Sequence, residues 1–270
     1  MSRLARNKYL IMRRLLQVSV MVVLVGGNLF GWKILVGNLS HSELLGAVPL
    51  SDPFAVLQLL AAGGLLATEV LLGAAITLAV YGLLGGRVFC AWICPMNMVT
   101  DLANRLRPQR DDSGLAIGRS VRMWILGLAL VVSFLAGTAA FEAISPIGML
   151  HRGLVFGMGA GWLAVVAVFL FDLVVQRNGF CGHLCPLGAF YSLVGRVGLV
   201  RVRHDHQACT RCMDCLAVCP EPQVLGLIGK TDGSVLDANC TSCGRCIDVC
   251  NDDALRFDLG RHTLSDHTGG

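Results

Sequence analysis

Twelve cysteines fall into four short groups, and eight of them form two runs with one spacing. The first run is Cys209-x2-Cys212-x2-Cys215-x3-Cys219-Pro220, and the second is Cys240-x2-Cys243-x2-Cys246-x3-Cys250. Closely spaced thiolates reach the corners of one iron–sulfur cubane only if the chain curls tightly around it. The three-residue gap before the last cysteine sends that ligand to a second cubane. The spacing therefore predicts two interleaved [4Fe–4S] clusters. One takes Cys209, Cys212, Cys215 and Cys250; the other takes Cys240, Cys243, Cys246 and Cys219. Structural zinc sites usually offer two Cys-x2-4-Cys pairs with a longer spacer, not four thiols in one tight run. The chemistry expected is one-electron transfer.

The other four cysteines make two Cys-x3-Cys-Pro pairs. Gly86-Arg-Val-Phe-Cys90-Ala-Trp-Ile-Cys94-Pro95 recurs as Asn178-Gly-Phe-Cys181-Gly-His-Leu-Cys185-Pro186, with both cysteines and the proline displaced by 91 positions. Asp52-Pro53 and Ser145-Pro146 lie at similar distances upstream, so the region reads as an internal duplication. On a helix, positions i and i+4 share a face, and the proline discourages continuation. Three readings stay open for Cys90, Cys94, Cys181 and Cys185. They could form a third iron–sulfur or metal site, a redox-active dithiol, or tight packing at helix ends. His183, inside the second pair, reads as a packing histidine.

These residues sit in an unusual chain. Of 270 residues 54% are hydrophobic and 15% charged, and mean hydropathy is +0.65; a soluble domain carries about 25% charged residues. The composition predicts an α-helical membrane protein, with four transmembrane helices in two tandem hairpins and a small α+β C-terminal two-cluster domain. The expected spans are 15–36, 68–86, 123–143 and 155–175, each near the ~20 residues that cross a bilayer. Phe54–Ala62 reads as an interfacial or re-entrant segment. The expected organisation is a basic N-terminus (1–14), a membrane domain (15–199), the two-cluster domain (200–260) and a polar tail (261–270). No small-residue cleavage site follows the first apolar run, so it reads as a retained anchor. No cysteine is left over, as in a reducing compartment. The net charge of +4 has no aromatic–basic stripe beside it, and no nucleic-acid partner is expected.

Lysine and arginine set the expected orientation. The stretch from Ile34 to Gly86 has none, whereas Arg87, Arg105, Arg107, Arg110, Arg119 and Arg122 crowd the middle loop, and Arg177, Arg196, Arg201 and Arg203 follow the fourth span. Both termini and the two-cluster domain should then lie in the cytoplasm of a bacterial inner-membrane protein. Ionisable residues within spans are functional candidates. Glu69, Glu142 and His151 should approach the periplasmic face, while Asp172 lies toward the cytoplasmic end.

The combination of four spans, two Cys-x3-Cys-Pro motifs and paired cluster motifs resembles the 4Fe–4S membrane polyferredoxin family. Thr100-Asp-Leu-Ala-Asn104, Phe169-Leu-Phe-Asp172-Leu173, Cys181-Gly-His-Leu-Cys185-Pro186, Arg211-Cys-Met-Asp-Cys215 and Cys219-Pro-Glu-Pro222 are similar to its NapH group, the ferredoxin-type quinol dehydrogenase subunits of periplasmic nitrate reduction. The resemblance implies quinol as substrate, with Glu69, Glu142 and His151 as candidates for its site. It also implies a NapG-like periplasmic iron–sulfur partner and a membrane-anchored cytochrome c, besides the quinone pool and the bilayer. A rival reading within the same family is a redox assembly or maturation factor for another metalloenzyme. If the clusters are cytoplasmic and nitrate is reduced outside, electrons must also recross the membrane.

Overall fold

A computed structural model describes residues 7–107, 117–157, 159 and 161–260. Arg3, Arg6, Arg110 and the polar tail at 261–270 lie outside the described residues. The chain divides into two compact units, each discontinuous in sequence. One comprises 1–16, 81–93 and 191–270, the other 17–80 and 94–190.

Residues 8–194 are mainly helical, and their element order repeats. Helix α1 (Lys8–Phe30) leads into three short strands, β1 (Leu35–Gly37), β2 (His41–Leu44) and β3 (Val48–Ser51), paired antiparallel in that order. Asp52 caps the next helix, α2 (Pro53–Ala61), by accepting from the Phe54 amide, with proline at the first turn. Helix α3 (Thr68–Leu84), the short α4 (Val88–Trp92) and α5 (Met96–Leu106) follow. After α6 (Val121–Ala136) and the short α7 (Ala140–Ile144) the pattern returns. Helix α8 (Pro146–Phe156) again opens on proline, then come α9 (Trp162–Val174), a π-helical turn (Phe180–Leu184) and α10 (Pro186–Val194). The duplication read from the cysteine pairs is thus carried by whole elements.

Buried polar side chains join these helices. Gln58 of α2, fully buried, accepts from the Phe141 amide and from the Ser133 hydroxyl of α6. Phe54 packs against Phe141 and Phe190 at 5.8 and 5.6 Å between ring centroids. Arg107 donates to the carbonyls of Asp172 and Val175 and so satisfies the open C-terminal end of α9.

The structure differs from expectation at three places. Among the described helices only α1 is long and apolar enough to cross a membrane by itself, with a mean hydropathy of 1.7. Helices α3, α6 and α9 hold 17, 16 and 13 residues, about 26, 24 and 20 Å of rise against a hydrocarbon core of about 30 Å. Glycines stop two of them: Gly85 and Gly86 after α3 and Gly137 after α6 all take positive φ. Second, the expected first span ends early at Phe30, and residues 35–51 form a β-meander that composition did not announce. Its tight turn is an Asx turn, with Asn38 Oδ1 accepting from the Ser40 and His41 amides. Third, arginines counted as loop charges are partly interior: Arg87, Arg122 and Arg201 are all buried.

The smaller unit centres on a three-stranded antiparallel sheet. Strand β4 (Val200–His204) lies between β5 (Gly233–Ser234) and β6 (Leu255–Leu259). Val200 faces Leu259 and His204 faces Leu255. Val202, Leu225, Ile228, Val235 and Leu255 form its core together with several cysteines. Tyr81, Phe89 and Tyr191 of the same unit cluster with ring centroids 5.2–5.7 Å apart, Phe89 stacked on Tyr191 and Tyr81 edge-on to both.

Candidate iron–sulfur centres

Each cysteine run curls for the same backbone reason. In the first, Arg211 and Met213 flank Cys212 with φ of 62° and 64°; in the second, Ser242 and Gly244 flank Cys243 with φ of 47° and 74°. Left-handed residues on both sides of the middle cysteine reverse the chain twice within seven residues. Backbone amides then turn toward sulfur, as where the Arg211 amide donates to Cys209 Sγ at 3.4 Å. A short helix follows in each run, α11 (Asp214–Val218) and α12 (Arg245–Asp248). Each helix carries the chain from one cavity to the other.

Two cavities result, each ringed by cysteines from both runs. Cys209, Cys212, Cys215 and Cys250 line the first, with His204, Met213, Ile228 and Asp252. Cys219, Cys240, Cys243 and Cys246 line the second, with Val202, Glu221, Leu225 and Arg245. No three His, Cys, Asp or Glu side chains among the described residues close on a point as one ion would require; the sulfurs ring a space. No disulfide joins any of the twelve cysteines.

The donor chemistry fits an iron–sulfur group in each cavity. Burial pushes the Cys219 thiol up to about 12 and Cys240 to about 11, with neighbouring cysteines adding to it. Burial likewise raises Cys215, with Cys212, Cys250 and Cys209 as like-charged neighbours, and raises Cys246 further. Four thiolates this close and this dry need a cationic core to stay ionised. A pH dependence follows. A thiol whose folded value lies above its ordinary value near 9 holds its proton more tightly in the folded state. Its stabilising contribution is full below that ordinary value and is lost as pH rises toward the folded values. The thermal midpoint of the metal-free chain should fall as pH is raised from about 8 to about 11, and loading iron and sulfide should flatten that slope. Calorimetry with and without reconstitution checks both.

The repeated pairs are held differently. Cys90 lies on α4 and is half-buried, while Cys94, just beyond α4, is buried. The Cys94 carbonyl accepts from the fully buried Gln17. Cys181 lies in the π-helical turn and Cys185 directly after it, so the second pair does not follow the plain α-helical i, i+4 geometry expected. Such turns concentrate at functional sites. Buried side chains fix this one: Asp172 accepts from the Phe180 amide at 2.9 Å, and Arg122 donates to the Gly182 carbonyl at 3.1 Å. His183 is buried, its ring against Gln176 at 3.0 Å.

The three candidate acid–base groups lie on three different helices. Glu142, on α7, accepts from the Ser40 hydroxyl of the meander. A side chain at Gly148 would meet both Glu142 and Arg152. His151, on α8, is 3% exposed, and its Nε2 has no hydrogen-bond partner. Glu69 is exposed in the first turn of α3. Ser40 and Arg152 were missed in the sequence, because the meander that brings Ser40 to Glu142 has no periodic signal.

A family profile described as "4Fe-4S binding domain" matches residues 66–111 and again 154–203, one copy over each cysteine pair, and a "4Fe-4S dicluster domain" matches 201–251. "Ferredoxin-type protein NapH" of Escherichia coli is 46% identical over 92% of this chain and 88% of its own length. NapH of Haemophilus influenzae is 46% identical over 97% of this chain and 92% of its own. "Methylamine utilization ferredoxin-type protein MauN" of Methylorubrum extorquens is 44% identical over 98% and 93%. The chain belongs to the NapH/MauN family of ferredoxin-type proteins. It is a ferredoxin-type iron–sulfur electron-transfer protein with [4Fe–4S]-binding domains. NapH and MauN match it almost equally, so identity alone does not divide the two roles. No solved structure matches the chain.

Proposed function

We propose that this protein is the membrane subunit of a quinol dehydrogenase, passing electrons through its iron–sulfur centres toward periplasmic nitrate reductase. The observation that carries the reading is the pair of four-thiol cavities in a chain similar to NapH over nearly its whole length. Cys209, Cys212, Cys215 and Cys250 would hold one [4Fe–4S] group, and Cys219, Cys240, Cys243 and Cys246 the other. Each group would take up and release one electron when bound. Cys90, Cys94, Cys181 and Cys185 are proposed iron–sulfur ligands, a role favoured by the two "4Fe-4S binding domain" matches that contain them. A NapG-like iron–sulfur protein and a membrane-anchored cytochrome c are the proposed partners.

The chain's own residues would bind quinol and receive its protons. Glu142 is the proposed base: the Ser40 hydroxyl donates to it, which leaves the carboxylate as acceptor. His151, with its open Nε2, is the proposed second acceptor. The Glu142→Gln variant should slow quinol-driven cluster reduction about a hundredfold or more. Its iron content and its reduction by dithionite should stay normal. Glu69→Gln, at an exposed position, should change little. Stopped-flow bleaching under anaerobic conditions reads the reduction rates, and iron analysis reads the content.

Four membrane crossings remain the proposed topology. Exposed apolar side chains on α3 (Leu72, Leu83), α6 (Trp124, Phe134, Leu135) and α9 (Leu163, Val174) support lipid contact. A reporter active only in the cytoplasm should work when fused after Gly270 and be silent when fused near Gly46. The reverse pattern would overturn the orientation.

The likeness to MauN favours a second reading, a redox maturation factor for a methylamine-utilising enzyme. Deleting the gene distinguishes the two. Loss of periplasmic nitrate reduction supports the first, and loss of methylamine-dependent growth supports the second.

A further inference from the structure

The second cavity differs from the first in what lies behind its ligands. The segment that ends α3 and forms α4 runs against the loops that carry Cys219, Cys240 and Cys243. The Trp92 indole donates to the carbonyl of Ser242, between Cys240 and Cys243, at 3.0 Å. Gly85 approaches the Ser242 side chain. Arg87 reaches furthest. Its guanidinium donates to Glu221 at 3.0 Å and to the carbonyl of Asn239 at 2.8 Å. Asn239 precedes the ligand Cys240, and Glu221 follows Cys219-Pro220 and lines the cavity itself. Arg87 and Glu221 are 2% and 3% exposed, so neither charge is screened by water.

Other charges surround the same cage. Arg245 lines it, and the buried Arg201 donates to the carbonyls of Gly195 and Gly198. Arg87 is paired with a carboxylate that can be neutralised separately. Among the described residues that line the first cavity, His204 and Asp252 are the titratable ones besides the cysteines, and Arg211, next to Cys212, is exposed.

An electron added inside a thiolate cage makes the cage one unit more negative. A buried cation nearby lowers that cost and a buried anion raises it, and net charge around the sulfurs is one of the levers on cluster potential. We propose that the Arg87–Glu221 pair sets the reduction potential of the second cluster, with Arg87 as the positioning residue that clamps both of its ligand loops. The inference rests on the reading that Cys219, Cys240, Cys243 and Cys246 hold a [4Fe–4S] group.

The test is an anaerobic redox titration of the full-length protein in detergent, followed by electron paramagnetic resonance with iron analysis alongside. The Arg87→Gln variant should shift the second cluster to lower potential, because Glu221 loses its counter-charge. Glu221→Gln should shift it to higher potential, because Arg87 does. The double variant should return close to the wild type, and Arg87→Lys should lie near it as well. The first cluster should not move in any of them. A purely structural clamp would disturb the site alike from either side. Shifts of one sign in both single variants, equal shifts in both clusters, or no shift would therefore overturn the proposal. If Arg87→Gln fails to keep its iron, Glu221→Gln, which leaves an amide acceptor for Arg87, still decides it by the sign of its shift. A wild-type protein without iron would sink the cluster reading itself, whereas normal iron with unmoved potentials would sink only this inference.

Discussion

Replacing Cys219 with Ala should halve the iron at the two C-terminal centres, from about eight atoms per chain to about four. It should also weaken the centre that keeps its ligands. Cys219 closes α11, whose first turn carries Cys215, yet its side chain lines the other cavity. Losing the thiol opens the second cage and frees the end of the helix that holds the first. Structural metal binding is folding free energy in small domains, so the remaining centre should lose iron faster to a chelator. Iron and sulfide analysis with spectroscopy on anaerobically purified protein measures both effects. Cys94→Ala should leave these two signals unchanged while lowering total iron if the repeated pairs hold a further site. An unchanged iron content in the Cys219 variant would end the interleaved assignment.

Gly86→Ala should be among the most damaging single substitutions in the chain. Gly86 has φ +62°, and a Cβ there would run into the Tyr191 carbonyl and the Gly195 backbone. The obstacle is main chain, so no rotamer change relieves it. The left-handed conformation costs an L-residue about 1–2 kcal/mol, and overpacking against fixed atoms costs about 1–3 more. A loss of about 3 kcal/mol corresponds to a fall of roughly 10 °C in thermal midpoint for a unit of this size. In sequence the site lies between Tyr81 and Phe89, whose rings both pack against Tyr191, and directly precedes Arg87. The second centre should therefore lose iron first. Gly46 is the control: its φ is +65°, but a Cβ there would meet nothing within 4 Å. Gly46→Ala should cost only the backbone strain, about 1–2 kcal/mol. Equal costs at the two positions would refute the steric account.

What the sequence determined by itself is what depends on neighbours along the chain. Two runs of four cysteines with one spacing already state how a loop must curl, and the structure rings two cavities with those eight thiols. The duplication was legible for the same reason, since a repeat is a relation between two strings. Here it extends from the cysteine pairs to the proline-led helices at Pro53 and Pro146. Tertiary structure decided whatever needed a distant partner. Arg87, Arg122 and Arg201 read as loop charges because arginine is usually solvated. For Arg87 and Arg122 only the fold supplies the partners, Glu221 and the Gly182 carbonyl 134 and 60 positions away, that let them be buried. Hydropathy marked where the apolar helices lie, but not where they stop, because a glycine ends a helix only when its φ turns positive. The meander at residues 35–51 was invisible for a similar reason. Its strands are three or four residues long, too short for alternation to register, and their pairing places Ser40 beside Glu142, 102 positions away.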